Sequence, residues 1–63
     1  MVATIVYINF ETCEEILRLE SSNPIVPEIG SRVEITYFAF QVRDVVHCVG
    51  SNRHRIEVRL NQL

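Results

Sequence analysis

His54-Arg55-Ile56-Glu57-Val58-Arg59-Leu60 alternates apolar and charged residues one for one. Successive side chains leave a pleated strand on opposite faces, so this alternation describes a half-buried strand. It places Ile56, Val58 and Leu60 in the core and Arg55, Glu57 and Arg59 toward solvent. Upstream, Gly50-Ser51-Asn52 reads as a loop, and Phe38 to Val49 is a long run suited to a pleated surface. In that run Phe40, Val42 and Val45 point inward, and the charged pair Arg43-Asp44 in its middle predicts a bulge or sharp bend.

Further upstream, Val26-Pro27-Glu28-Ile29-Gly30 has the chemistry of a tight turn that launches a strand over Arg32 to Ile35. Pro27 presets φ, and Gly30 accepts a positive φ. Ser21-Ser22-Asn23-Pro24 is a connection. Val2-Ala3-Thr4-Ile5-Val6-Tyr7-Ile8-Asn9-Phe10 is a strand with two apolar faces: Val2, Val6, Ile8 and Phe10 on one, and Ala3, Ile5 and Tyr7 on the other. Such a strand needs cover on both sides, and in so small a domain the second cover is expected from another chain.

Residues 11 to 20 satisfy two patterns. Thr12 with Glu15 fits a capping box, and Cys13, Ile16 and Leu17 have helical spacing, which predicts a short helix over 12–19. Leu17 and Leu19 also alternate with Arg18 and Glu20, which predicts a strand from Glu15 to Ser21, with Glu11-Thr12 in the turn before it. The strand is the preferred reading. The expected architecture is therefore all-β: five short strands in one domain, residues 1–63, curled into a small, partly open barrel.

Composition excludes several classes of function. Forty-eight per cent apolar residues with only two Gly and two Pro exclude a disordered tail. The longest apolar stretch, Ile5 to Ile8, is far short of a membrane span, and no basic segment precedes it, so a soluble cytoplasmic protein is expected. Cys13 and Cys48 are too few for a disulfide framework and are expected to be reduced, Cys48 as a small buried hydrophobe and Cys13 half-buried. A chain of 63 residues builds a thin core and needs unusual packing, a metal, a disulfide or a partner chain, so a homo-oligomer is expected.

The net charge of −2 conceals a polarity. Residues 1–31 carry five glutamates against Arg18, a balance of −4, while residues 32–63 carry five arginines against Glu34, Asp44 and Glu57, a balance of +2. Every cationic side chain is an arginine, the residue that pairs bidentately with carboxylate or phosphate and stacks on aromatic rings. The net negative charge argues against nucleic-acid binding, which requires a basic surface.

No nucleophile with a neighbouring base, no carboxylate pair in an apolar setting and no phosphate-cradling glycine loop is present, so no catalytic residues are assigned and a non-enzymatic role is expected. No cofactor is implied. His47 and Cys48 are adjacent and leave a strand on opposite faces, which disfavours a shared metal, so no metal ligands are assigned either. The candidate anion site is the Arg53-His54-Arg55 tip with Arg43 and His47 from the adjoining strand, where guanidinium and turn N–H groups suit a phosphate or carboxylate. The competing reading pairs these arginines with the acidic N-terminal half. Ile5, Tyr7, Tyr37 and Phe38 are the candidate subunit interface.

Three stretches carry a resemblance: Val26-Pro27-Glu28-Ile29-Gly30-Ser31-Arg32-Val33-Glu34-Ile35, Phe40-Gln41-Val42-Arg43-Asp44-Val45-Val46-His47 and His54-Arg55-Ile56-Glu57-Val58. Their V-P-x-x-G-x-x-V-x-I, aromatic-x-V-x-x-V-x-H and H-x-I-x-V patterns resemble a family of very small proteins of bacteria and their phages. The resemblance spans residues 26–60 and implies an SH3-like barrel without catalytic residues that acts by binding. From the resemblance the expected action is binding to and inhibiting a host enzyme, whereas the two-faced first strand and the arginine-only positive charge predict an oligomer that sequesters a nucleotide-type anion. This chain departs from the family in having Thr36-Tyr37-Phe38 where a polar Asp-Gly or Asn-Gly hairpin is usual, and in a longer N-terminal hairpin.

Overall fold

The computed structural model describes residues 2–63. They form five strands and no helix: β1 (Ala3–Asn9), β2 (Glu15–Ser21), β3 (Arg32–Ile35), β4 (Phe38–Val49) and β5 (His54–Gln62). These make one sheet in the order β2-β1-β5-β4-β3, curled into a half-barrel whose edge strands, β2 and β3, do not pair. Among the described residues no helix is long and apolar enough to cross a membrane.

The ends of the chain meet in the middle of the sheet. β1 runs parallel to β5 from Ala3 opposite His54 to Asn9 opposite Leu60, and the ladder continues through the Phe10 N–H to the Leu60 carbonyl at 2.8 Å. All other neighbours are antiparallel. The core lies on one face of the sheet: Ala3, Ile5 and Tyr7 of β1, Ile56, Val58 and Leu60 of β5, and Phe40 and Val42 of β4, with Val26, Leu17, Val33 and Val45 packed at its margin.

Residues 15 to 21 are strand, and residues 12–19 contain no helix. The reason is local as well as tertiary. The Asn9 side chain accepts hydrogen bonds from the N–H groups of Glu11 and Thr12, and the Thr12 hydroxyl accepts from Glu14 rather than from Glu15 as a capping box requires. Cys13 then takes φ 63°, which a helix cannot contain, and β1 gains a neighbour along its otherwise open side. The register slips between Tyr7 and Ile8, so that Ile16 is an extra residue and both Ile16 and Leu17 reach the core margin.

The turn before β3 forms as its residues dictate. Gly30 has φ 90°, its N–H reaches the Val42 carbonyl at 2.8 Å, and the Ser31 hydroxyl donates to the Glu28 carbonyl at 2.6 Å. The β4 register shifts between Val42 and Asp44, leaving Arg43 as the extra residue of a bulge where the charged pair predicted one.

Two expectations need correction. Ile5 and Tyr7 are 3% and 9% exposed inside this single chain, so they are core residues and not free to form a subunit interface. On the opposite face the middle of the strand also finds cover within the chain, while Val2 and Phe10 at its two ends are 54% and 37% exposed. Val6 is 1% exposed although it lies outside the core cluster. Its register partners are Arg18 on β2 and Glu57 on β5, and one row on either side stand Glu20, Thr4 and Arg55, and Glu15, Ile8 and Arg59. Long charged side chains lay their aliphatic stems on apolar neighbours and keep their heads in water, which is the cover that β1 needed. The cysteines correct a third reading: Cys13 and Cys48 are both free and exposed.

The two-residue β3–β4 turn puts Thr36 at φ 58°, a position normally held by glycine in hairpins of this length. A β-branched residue there is strained by about 1–2 kcal/mol. Thr36→Gly should therefore raise the urea midpoint, with a gain of about 0.5–1 kcal/mol after the glycine's chain entropy is subtracted. Gly30→Ala should lower it by about 1 kcal/mol through φ alone, because no atom lies within 4 Å of the added Cβ.

Candidate functional site

The outer face of the sheet carries a lattice of charge. Glu20, Thr4, Arg55 and Cys48 form one row across β2, β1, β5 and β4; Arg18, Val6, Glu57 and Val46 form the next. Arg18 donates from Nε and Nη2 to one Glu15 oxygen at 3.1 and 2.6 Å, and this hydrogen bond, then the carboxylate's charge, raises the affinity of the guanidinium for its proton. Arg55 reaches Glu57 at 3.2 Å, while Arg59 lies 3.5 Å from Glu57 and 3.6 Å from Asp44. Arg32 pairs with Glu34 at 3.3 Å.

The arginines of the second half thus pair with carboxylates of their own half, not with the acidic N-terminal half. Among the described residues Glu11, Glu14, Glu20 and Glu28 have no ion-pair partner, and neither do Arg43 and Arg53.

At the end of the sheet where β5 begins, Val2, Thr4, Arg18, Glu20, Arg53, His54 and Arg55 line a half-open groove of about 570 Å³. That volume falls within the roughly 300–1,000 Å³ typical of small-molecule sites. Three guanidiniums border it, two of them steadied by Glu15 and Glu57 and the third, Arg53, unpaired, with the Glu20 carboxylate at the rim. A second groove on the same face, lined by Ile8, Asn9, Phe10, Cys13, Arg55, Glu57 and Arg59, differs in its electrostatics. There Arg59 is shared between two carboxylates, which leaves no free cation for a ligand.

Of the residues expected at the anion site, Arg53, His54 and Arg55 do come together. His47 meets His54, both on the core side of the sheet, opposite Ile56 and Ala3, but only His54 reaches the groove lining. Its Nδ1 lies 3.2 Å from His54 Nε2 with the rings stacked at 5.4 Å, so it orients the His54 ring rather than lining the groove. One ring must donate and the other accept for this contact to form.

Arg43 does not join the cluster. The bulge turns it toward the far end of the sheet, where its guanidinium carbon lies 3.9 Å from the Phe10 ring centroid, about 20 Å along β4 from the Gly50–Arg53 turn. Thr4 and Arg18 were not expected and reach the groove only because β1 and β2 lie alongside β5. Tyr37, 94% exposed, and Phe38 stand on the strained hairpin at the opposite end of the molecule.

The groove offers converging cationic donors and a hydroxyl. Removing the cation that is structural should separate the two arginine roles: Arg43→Gln is expected to cost about 0.5–1 kcal/mol of stability through the lost contact with Phe10 while leaving anion binding unchanged, as read by urea unfolding and by phosphate titration. Comparison with family models, curated proteins and solved structures returns no match for this chain.

Proposed function

We propose that this chain is a non-enzymatic cytoplasmic binding protein that holds a small phosphate-bearing, nucleotide-type anion in the groove bordered by Arg18, Arg53 and Arg55. The observation that carries the reading is Arg53: an exposed guanidinium without an ion-pair partner among the described residues, beside two guanidiniums fixed by their own carboxylates. A fixed pair of donors costs little ordering when an anion arrives, and the third guanidinium has no carboxylate partner to give up. Thr4 adds a hydroxyl to the groove lining, and the open Ser51-Asn52 turn next to Arg53 adds exposed backbone. Glu20 in the lining opposes a highly charged ligand and favours one with a single phosphate and a ribose hydroxyl that donates a hydrogen bond to the carboxylate. The resemblance of residues 26–60 to very small proteins of bacteria and phages brings no catalytic residues with it, which fits a role without catalysis.

A second reading, inhibition of a host enzyme by direct contact, draws on the exposed pair Tyr37 and Phe38, which an aromatic pocket in a partner would accept.

Titration with inorganic phosphate, pyrophosphate and mononucleotides, followed by amide chemical shifts, tests the first reading. Shifts confined to Thr4, Arg18 and Arg53–Arg55 are expected, with Arg53→Gln weakening the affinity about tenfold. Absence of any shift with all three ligand types rejects it. Shifts around Tyr37 and Phe38 on adding a host protein would favour the second reading.

A further inference from the structure

The outward edge of β4 beyond its bulge is open. β3 pairs with Phe38 to Gln41 only, and the Gly30 and Ser31 backbone extends that pairing no further than Val42. From Asp44 to Val49, β5 is the only bonded neighbour among the described residues. The Gly50 N–H bonds inward to the Arg53 carbonyl, so by antiparallel alternation the N–H and C=O groups of Val45, His47 and Val49 point outward.

The three free edges of the sheet are protected unequally. β2 carries Glu15, Arg18 and Glu20, and β3 is short and carries Arg32 and Glu34. These are the usual defences against strand addition. Val45-Val46-His47-Cys48-Val49 carries no carboxylate, no lysine or arginine and no proline, and His47, Cys48 and Val49 are exposed.

We propose that this edge is the docking surface for a second copy of the chain, paired antiparallel about a two-fold axis through His47. In that register Val45 faces the partner's Val49, Val46 faces the partner's Cys48, and His47 faces the partner's His47. Asp44 falls opposite the partner's Gly50, so no carboxylate or guanidinium meets its like. The three outward-pointing positions on each copy then exchange about six backbone hydrogen bonds. Val49, 77% exposed in the single chain, gains an apolar neighbour.

Self-pairing is favoured over addition to β2 of another copy, because that register would set valines against Glu15, Arg18 and Glu20 and would propagate without closing. The anion groove lies on the outer face of β1, β2 and β5, clear of this edge, so the dimer does not depend on the proposed ligand.

Light scattering on the full chain from low micromolar to submillimolar concentration should show a doubled mass. Val49→Lys, at a position exposed enough to leave the fold intact, should return it to a monomer across that range, whereas Leu19→Lys on the β2 edge should leave the dimer unchanged. Hydrogen exchange adds an independent reading: the amides of Val45, His47 and Val49 should be protected in the dimer and exchange at least tenfold faster in Val49→Lys, roughly the loss of one bonded edge. A monomer at every concentration overturns the proposal. So does a dimer that survives Val49→Lys with those amides unprotected, one abolished by Leu19→Lys, or an edge protected only when a different protein is added.

Discussion

The pairing on which the structure depends is the parallel ladder between β1 and β5. It joins residues 3–9 to residues 54–60 across nearly the whole chain, and without it neither strand has a neighbour on its inner side. Closing so long a loop is entropically expensive before any reward arrives, and the reward must come from burial. The sequence supplies it in the strands that pair: Ala3, Ile5 and Tyr7 from one and Ile56, Val58 and Leu60 from the other make most of the core. The two hairpins, β1–β2 and β4–β5, then hang from this central pair, and β3 closes over the first third of β4. The anion groove is a product of the same pairing, since it sets Thr4 beside Arg55 and so brings Arg18 within reach.

A half-barrel this small has one core face, yet β1 is apolar on both of its faces. The solution is a second face roofed by ions. Arg18, Arg55 and Arg59 with Glu15, Glu57 and Glu20 surround Val6 and Ile8, so the charged residues act as packing material and the ion pairs hold that packing in place. Exposed ion pairs of this kind contribute little through charge alone, and their value here lies in the stems they immobilise. This also accounts for the exclusive use of arginine: its flat guanidinium can bridge Glu57 and Asp44 at once, as Arg59 does, or lie on Phe10, as Arg43 does. Five of the six arginines are occupied in this way, and that is what singles out Arg53.

How much of this could be read from the sequence depends on how local each feature is. The alternation in His54–Leu60, the Pro27–Gly30 turn and the bulge at Arg43 are properties of neighbouring residues and were legible. Residues 11–20 carried a helical and a strand pattern together, and the deciding facts were the Asn9 side-chain turn and the vacant side of β1, one visible only in three dimensions. The face that β1 buries is not legible because both faces are apolar, so pattern alone cannot separate Ile5 and Tyr7 as core from Ile5 and Tyr7 as subunit interface. The groove was half legible: Arg53, His54 and Arg55 are contiguous, but Thr4 and Arg18 come from strands about 50 and 35 residues away, which no spacing rule connects. Arg43 went astray because a bulge that is easy to foresee does not announce which way it turns its extra residue.

The same β4–β5 hairpin carries Arg53 on its turn and the unprotected edge on its outer strand. At this end the hairpin is bonded to the rest of the sheet along β5 alone, and its tip residues Gly50–Arg53 have no regular structure. An anion that orders the tip would also order the strand leading into it, and a strand ordered by edge pairing would hold the tip in place for the anion. Linkage makes any such effect equal in both directions. The stacked rings of His47 and His54 place a side chain of the edge in direct contact with a side chain of the groove.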